Sequence, residues 1–170
     1  LVNDMYSLEM LARVDVLCLD KTGTITSGEP KVTDILPAEG VSEEELLSLA
    51  YALERKSEHP LAKAILALAE EREIEAGEVK DFQAVPGNGL SAVLQEEELY
   101  GGNLIFIRKH AKVPEDLRKA AERFAEDGKT PLFFSKNGMV TGVIAVADVI
   151  KEDSPQAVKE LQNMGIRVVM

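Results

Sequence analysis

The hydrophobic rhythm changes several times along this chain. Residues 14–19 (VDVLCL) form a short apolar run rich in β-branched positions, which predicts a buried strand. A polar loop, 20–24 (DKTGT), follows at once. Residues 31–36 (KVTDIL) alternate apolar and polar, the period of a half-buried strand. The period then lengthens. Ser42-Glu43-Glu44-Glu45 is a capping box, and Leu46, Leu49, Ala50 and Leu53 share one helical face, so 43–56 should be a helix. Pro60 suits the first turn of a second helix, and Leu61, Ile65, Leu68 and Ala69 carry its apolar stripe towards Arg72. Short strands are predicted over 79–85, 91–95 and 97–101, then a helix over 115–126 that Gly128 stops. Residues 131–135 and 139–147 are β-rich and flank Lys136-Asn137-Gly138, a hairpin signal. Ser154 as N-cap, with Pro155 in the first turn, opens a last helix ending near Gly165, and 166–169 (IRVV) is a final buried strand.

The strand near the start and the strand–helix–strand at the end fit one parallel sheet, with an α+β block inserted between them. Composition supports a folded chain: 170 residues, 45% of them apolar, can bury a core. Nineteen Lys and Arg against 30 Asp and Glu leave a net charge of −11. That balance argues against nucleic acid or an anionic membrane as the main partner, while leaving room for a local phosphate pocket. Cys18 stands alone, so a disulfide framework and a multi-cysteine metal site are excluded, and a reducing compartment suits the chain. No apolar run approaches the ~20 residues needed to cross a bilayer, and no signal peptide is visible. The chain begins without Met and stops inside an apolar stretch at Val169-Met170, which reads as a piece of something longer.

Chemistry concentrates in four places. Asp20 directly follows a buried strand, where α/β sheets place reactive groups. A carboxylate there can attack phosphorus and become an acyl phosphate, while Lys21 neutralises charge and Thr22, Gly23 and Thr24 bend close to phosphate oxygens. Alone, such an Asp reads as a turn cap. Ser57-Glu58-His59-Pro60-Leu61 places an imidazole before a helix start, where it can stack on or hydrogen-bond a base. Pro86-Gly87-Asn88-Gly89 satisfies part of a dinucleotide fingerprint, but 90–95 read as a strand where that motif needs a helix. Asp148 to Ser154 is an acidic run before a helix, ordinarily a solvated cap. Gly128-Lys129-Thr130 fails as a P-loop because position 123 is Arg, and His110 reads as an exposed helix-end residue.

The string DKTGTIT, Asp20 to Thr26, resembles the phosphorylation motif of P-type cation-transporting ATPases. Ser57 to Ala62 resembles the SEHPLA motif of their heavy-metal class, and Ala147 to Ser154 the ADxIKxDS segment that returns to the phosphorylation domain. The resemblance runs through nearly all of 11–170, with the motifs in family order, and 1–10 (LVNDMYSLEM) depart from it. It implies a partial haloacid-dehalogenase-like parallel sheet over 1–27 and 140–170. Within that sheet 28–139 would form an inserted α+β nucleotide-binding domain on an antiparallel sheet. It implies that Asp20 is phosphorylated by ATP, with Lys21, Thr22, Asp148 and Lys151 beside the transferred phosphate. Glu58, His59, Gly87, Gly89, Gly102 and Asn103 would line the nucleotide site. Mg²⁺ would sit on Asp20 and the Thr22 backbone. Related phosphatases carry a second Asp where this chain has Thr22, so an aspartyl phosphate here would persist.

The resemblance further implies transmembrane and actuator domains as partners, a transported metal bound elsewhere, and a place at the cytoplasmic face of a membrane. The family continues with TGD and GDGxND segments that complete the Mg²⁺ site, so this chain is expected to bind ATP with little or no turnover. Two alternatives stay open: a soluble haloacid-dehalogenase-like phosphatase, and a nucleotide-binding module without catalysis.

Overall fold

The structure, a computed structural model, describes residues 14–170. The atypical first ten residues lie outside that range. In chain order the elements are β1 (Val16–Cys18), β2 (Thr26–Pro37), α1 (Glu43–Glu54), α2 (Pro60–Glu71), β3 (Lys80–Val85), β4 (Gly89–Leu94) and β5 (Glu97–Gly102). They continue with α3 (Leu104–Ile107), α4 (Glu115–Glu126), β6 (Thr130–Lys136), β7 (Met139–Ile150), α5 (Ser154–Asn163) and β8 (Arg167–Val169). The described chain divides into two compact units, one of them Pro30–Ala147 and the other residues 14–29 together with Asp148–Met170. The return from the inserted unit therefore comes at Asp148 rather than at residue 140. Val140 and Val143 to Val146 are buried among the inserted unit's own side chains.

The inserted unit is built on a sheet of order β2-β7-β6-β5-β4-β3, antiparallel from β7 to β3. Successive strand residues face opposite sides, and both sides are covered. Phe134 packs with Leu46, Leu53, Ile65 and Ile144 under α1 and α2. Its neighbour Phe133 packs with Ile107, Leu117 and Val143 under α3 and α4. α1 begins where the capping box places it, Ser42 Oγ accepting from the Glu45 amide at 3.1 Å. The β6–β7 turn has positive φ at both Asn137 and Gly138, as the Asn-Gly pair demands. The β4–β5 turn takes the same backbone path without glycine, with φ of 50° at Gln95 and 73° at Glu96.

In the other unit β1 pairs with β8 in parallel, Val16 to Arg167, Leu17 to Val168 and Cys18 to Val169. This is the expected parallel pair from opposite ends of the chain. Two sequence expectations change. The strand placed at 31–36 extends back to Thr26, and α3 was not anticipated at all.

Candidate functional site

β1 ends at Cys18, and the Leu19 amide still donates to the Val169 carbonyl at 2.9 Å. Asp20 therefore emerges at the C-terminal edge of the parallel pair, exposed, with extended backbone. Lys21–Ile25 forms a tight turn in which Gly23 has a φ of 75°. Thr26, fully buried, ties that turn shut: its amide donates to the Lys21 carbonyl, and its Oγ1 accepts from the Gly23 amide at 3.2 Å. The same Oγ1 lies 3.0 Å from the Lys21 carbonyl oxygen and donates to Asp148 Oδ2 at 2.5 Å.

Asp148 and Lys151 divide the turn between them. The Asp148 carboxylate accepts from Ser27 Oγ at 3.3 Å and the Gly28 amide at 2.9 Å as well as from Thr26. Lys151 Nζ donates to the Gly23 carbonyl at 3.1 Å, and its amide donates to the Ile25 carbonyl at 2.9 Å. Ser154 Oγ donates to that same Ile25 oxygen at 2.9 Å. Lys151 thus reaches the loop that Asp20 opens, while the Asp148 carboxylate is occupied in holding 26–28. Thr22 and the Lys21 side chain are exposed. Among the described residues, no group of three or more His, Cys, Asp or Glu side chains is placed to hold a metal ion. The exposed Asp20 carboxylate and the carbonyls of its turn are nevertheless hard oxygen donors. Mg²⁺ accepts one or two carboxylates and takes its remaining ligands from water and phosphate, so these groups fit it.

A second site lies within the inserted unit. A cavity of about 500 Å³ opens between the start of α2, the β3–β4 turn and the end of β5. Its lining includes Glu58, His59, Gly87, Gly89, Gly102 and Asn103, so all six residues named for nucleotide binding come together. The β3–β4 connection explains the glycines. Pro86 and Gly87 fill the centre of a turn closed by the Asn88 amide on the Val85 carbonyl at 3.0 Å, and Gly87 has a φ of 72°. β4 begins at Gly89, so this is no dinucleotide fingerprint. A Cβ on Gly89 would stand 2.3 Å from the Gly101 carbonyl oxygen and 2.6 Å from Phe106 Cδ1. Asn103 staples the turn: its Nδ2 donates to the Gly87 carbonyl at 3.1 Å, and its Oδ1 caps α3 through the Phe106 amide at 2.9 Å.

His59 occupies the N-cap of α2. Its amide donates to Ser57 Oγ at 3.2 Å, and its Nδ1 accepts from the Leu61 amide at 3.2 Å. Glu58 is exposed at the rim. The residue that sequence reasoning missed is Glu54, which lines the same cavity at 6% exposure. Burial pushes its carboxyl up to about 7, against a smaller opposing pull from a hydrogen bond with Ser57. A signal existed, since Glu54 falls four residues after Ala50 on the apolar face of α1. His110 also departs from expectation. It is half-buried, stacked on Tyr100 at 3.8 Å between ring centroids and 4.9 Å from Phe106, because the short α3 turns it back onto β5.

The family model of the haloacid dehalogenase-like hydrolases matches residues 14–170. The chain belongs to that family. It is 40% identical over 170 residues to a copper-transporting P-type ATPase of Rhizobium leguminosarum bv. viciae, covering all of this chain and 20% of that protein. A zinc-transporting PIB-type ATPase in its E2.Pi state superposes with a TM-score of 0.84 at 36% identity, over 95% of this chain and 26% of that one. The N-domain of HMA6, a copper-transporting P-type ATPase, gives a TM-score of 0.59 at 27% identity, over 70% of this chain and 99% of that domain. The chain thus spans about a fifth of the length of the curated relative it matches. Both structural neighbours come from heavy-metal P-type ATPases, as the motifs indicated. Among the described residues, no helix is long and apolar enough to cross a membrane.

Proposed function

We propose that this chain is the ATP-binding and phosphorylation region of a heavy-metal P-type ATPase. The observation that carries the reading is the cavity of the inserted unit, where the SEHPLA segment, the Pro86–Gly89 turn and the Gly102-Asn103 pair converge. It is large enough for a nucleoside, mostly apolar in its walls, and has a few polar groups to fix orientation. His59 and Glu54 face the base, and Gly87, with open space where a Cβ would stand, allows the backbone to approach the ligand, while Gly89 lets β4 pack against Gly101 and Phe106. Glu54 in its neutral form both donates and accepts a hydrogen bond, matching the amino group and ring nitrogen of adenine.

Asp20 is the nucleophile. Its carboxylate oxygen forms a bond to the γ-phosphorus of ATP, ADP leaves with the electron pair of the broken P–O bond, and the product is an aspartyl phosphate. Lys21 and Lys151 reduce the charge repulsion between carboxylate and phosphate. Asp148 holds the segment after the loop, through Thr26, Ser27 and Gly28, so that Asp20 stays at the strand end. Mg²⁺, held by the Asp20 carboxylate and the Thr22 carbonyl, would neutralise charge on the transferred group. Thr22, lacking a carboxylate to activate water, leaves the phosphoenzyme long-lived. In the whole pump this region would lie at the cytoplasmic face of the membrane, its phosphorylated state would drive the transmembrane and actuator domains, and the transported metal would be bound elsewhere, in the membrane segments.

The test is a calorimetric titration of the 170-residue chain with ATP, beside His59→Ala. Saturable binding that weakens in the variant is expected, with little or no turnover. A folded chain that binds no ATP would overturn the reading.

A further inference from the structure

The hydrogen bond from the Leu61 amide to His59 Nδ1 has a chemical consequence. A nitrogen that accepts carries no proton, so the neutral ring must carry its proton on the other nitrogen. The backbone of His59 is fixed too, through its amide on Ser57 Oγ. Pro60 at the next position offers no amide hydrogen that could compete for Nδ1. The ring edge left over is Nε2, on a residue that lines the cavity. We infer that the start of α2 locks His59 as the Nε2–H tautomer, so that the cavity presents a hydrogen-bond donor to a ring nitrogen of the bound base. His59 then has two separable jobs, capping α2 through Nδ1 and recognising the base through Nε2.

This inference rests on the nucleotide reading for its ligand, and on the free chain for its tautomer. Long-range ¹H–¹⁵N spectra of the histidine-labelled chain without ligand read the tautomer directly, and His59 shows a protonated Nε2 and an unprotonated Nδ1. A protonated Nδ1, or an even mixture of tautomers, overturns the inference.

Two variants separate the jobs. His59→Asn retains an N-cap acceptor, so the melting temperature stays close to that of the parent chain. It loses the imidazole donor, so ATP affinity falls roughly three- to tenfold, the size of one net hydrogen bond. His59→Ala loses both. ATP analogues with carbon in place of N1, N3 or N7 then identify the acceptor. One of the three binds the parent chain about as weakly as ATP binds His59→Asn, and it loses nothing further in that variant. If all three analogues bind like ATP, the ring only stacks and the donor role is wrong. If the parent chain binds no nucleotide at all, the functional reading fails instead, and the spectra still decide the tautomer.

Discussion

In Pro30–Ala147 a six-stranded sheet has helices on both faces, and Phe133 and Phe134 anchor one core on each side. The unit that carries Asp20 is held differently. Its paired strands are three residues long, and its buried groups among the described residues are Ile25, Thr26 and Ser154. There the Asp20 loop is fixed by hydrogen bonds from side chains, with Thr26, Asp148, Lys151 and Ser154 as the hubs. The contrast teaches that a cavity can rest on close packing. A loop that stays exposed has little apolar burial to hold it, and so depends on polar ties. Apolar burial is non-directional, whereas hydrogen bonds fix orientation.

The sharpest break between the two regions is Asp20→Asn. Acid-stable phosphate label from ATP should vanish completely, while ATP affinity measured by calorimetry stays within about twofold, the size of a minor contact change. Label that survives the substitution would sink the assignment of Asp20.

Glu54 tests the packed region. Its carboxyl titrates near 4.5 when unfolded and at about 7 when folded. Below the unfolded value both states are protonated and burial carries no charge penalty. As pH rises from there through 7 the folded state resists losing its proton, so stability falls by about 3 kcal/mol and then levels off. Denaturant unfolding of Glu54→Gln should show that slope removed, with a gain of about that size at pH 8. The amide can still pair with adenine, so ATP binding survives in the variant and no longer declines across neutral pH. An unchanged pH slope would show that Glu54 is not the titrating group.

Asp148→Ala tests the polar region. Three donors lose their shared acceptor, and the segment 26–28 should loosen by about 2 kcal/mol, read as faster amide exchange at Gly28. Exchange at Gly87 and Gly89 should not move. Equal acceleration in both units would erase the distinction drawn above.

The smallest effect lies in the β4–β5 turn. Glu96 holds a left-handed backbone that costs a side chain about 1–2 kcal/mol, partly offset by the entropy of glycine, so Glu96→Gly should stabilise by about 0.5 kcal/mol. A loss of stability in urea unfolding would mean that the Glu96 side chain makes a compensating contact.

Much of this molecule was legible in the chain itself. Ser42 with Glu45, Pro60 and Asn137-Gly138 each act within a few residues, so the elements they start or join could be read locally, whereas Ser154, expected as the N-cap of α5, lies inside that helix after Asp153 and spends its hydroxyl on the distant Ile25 carbonyl. The six cavity residues were legible as motifs because each motif is a short local string. The length of β2, by contrast, depends on pairing with β7, more than a hundred residues away, and nothing near Thr26 announces it. The aromatic stack of His110 on Tyr100 likewise depends on where a four-residue helix points.

What the sequence by itself determined was the order of the elements apart from α3, the parallel pairing of the two chain ends and the placing of Asp20 directly after a strand. Only the tertiary structure decided that Glu54 is buried in the cavity beside His59, that Asp148 is taken up by the segment after the loop, and which nitrogen of His59 is left free of the helix start. The first set follows from local spacing and residue type. The second depends on desolvation and on hydrogen-bond partners that only folding brings together.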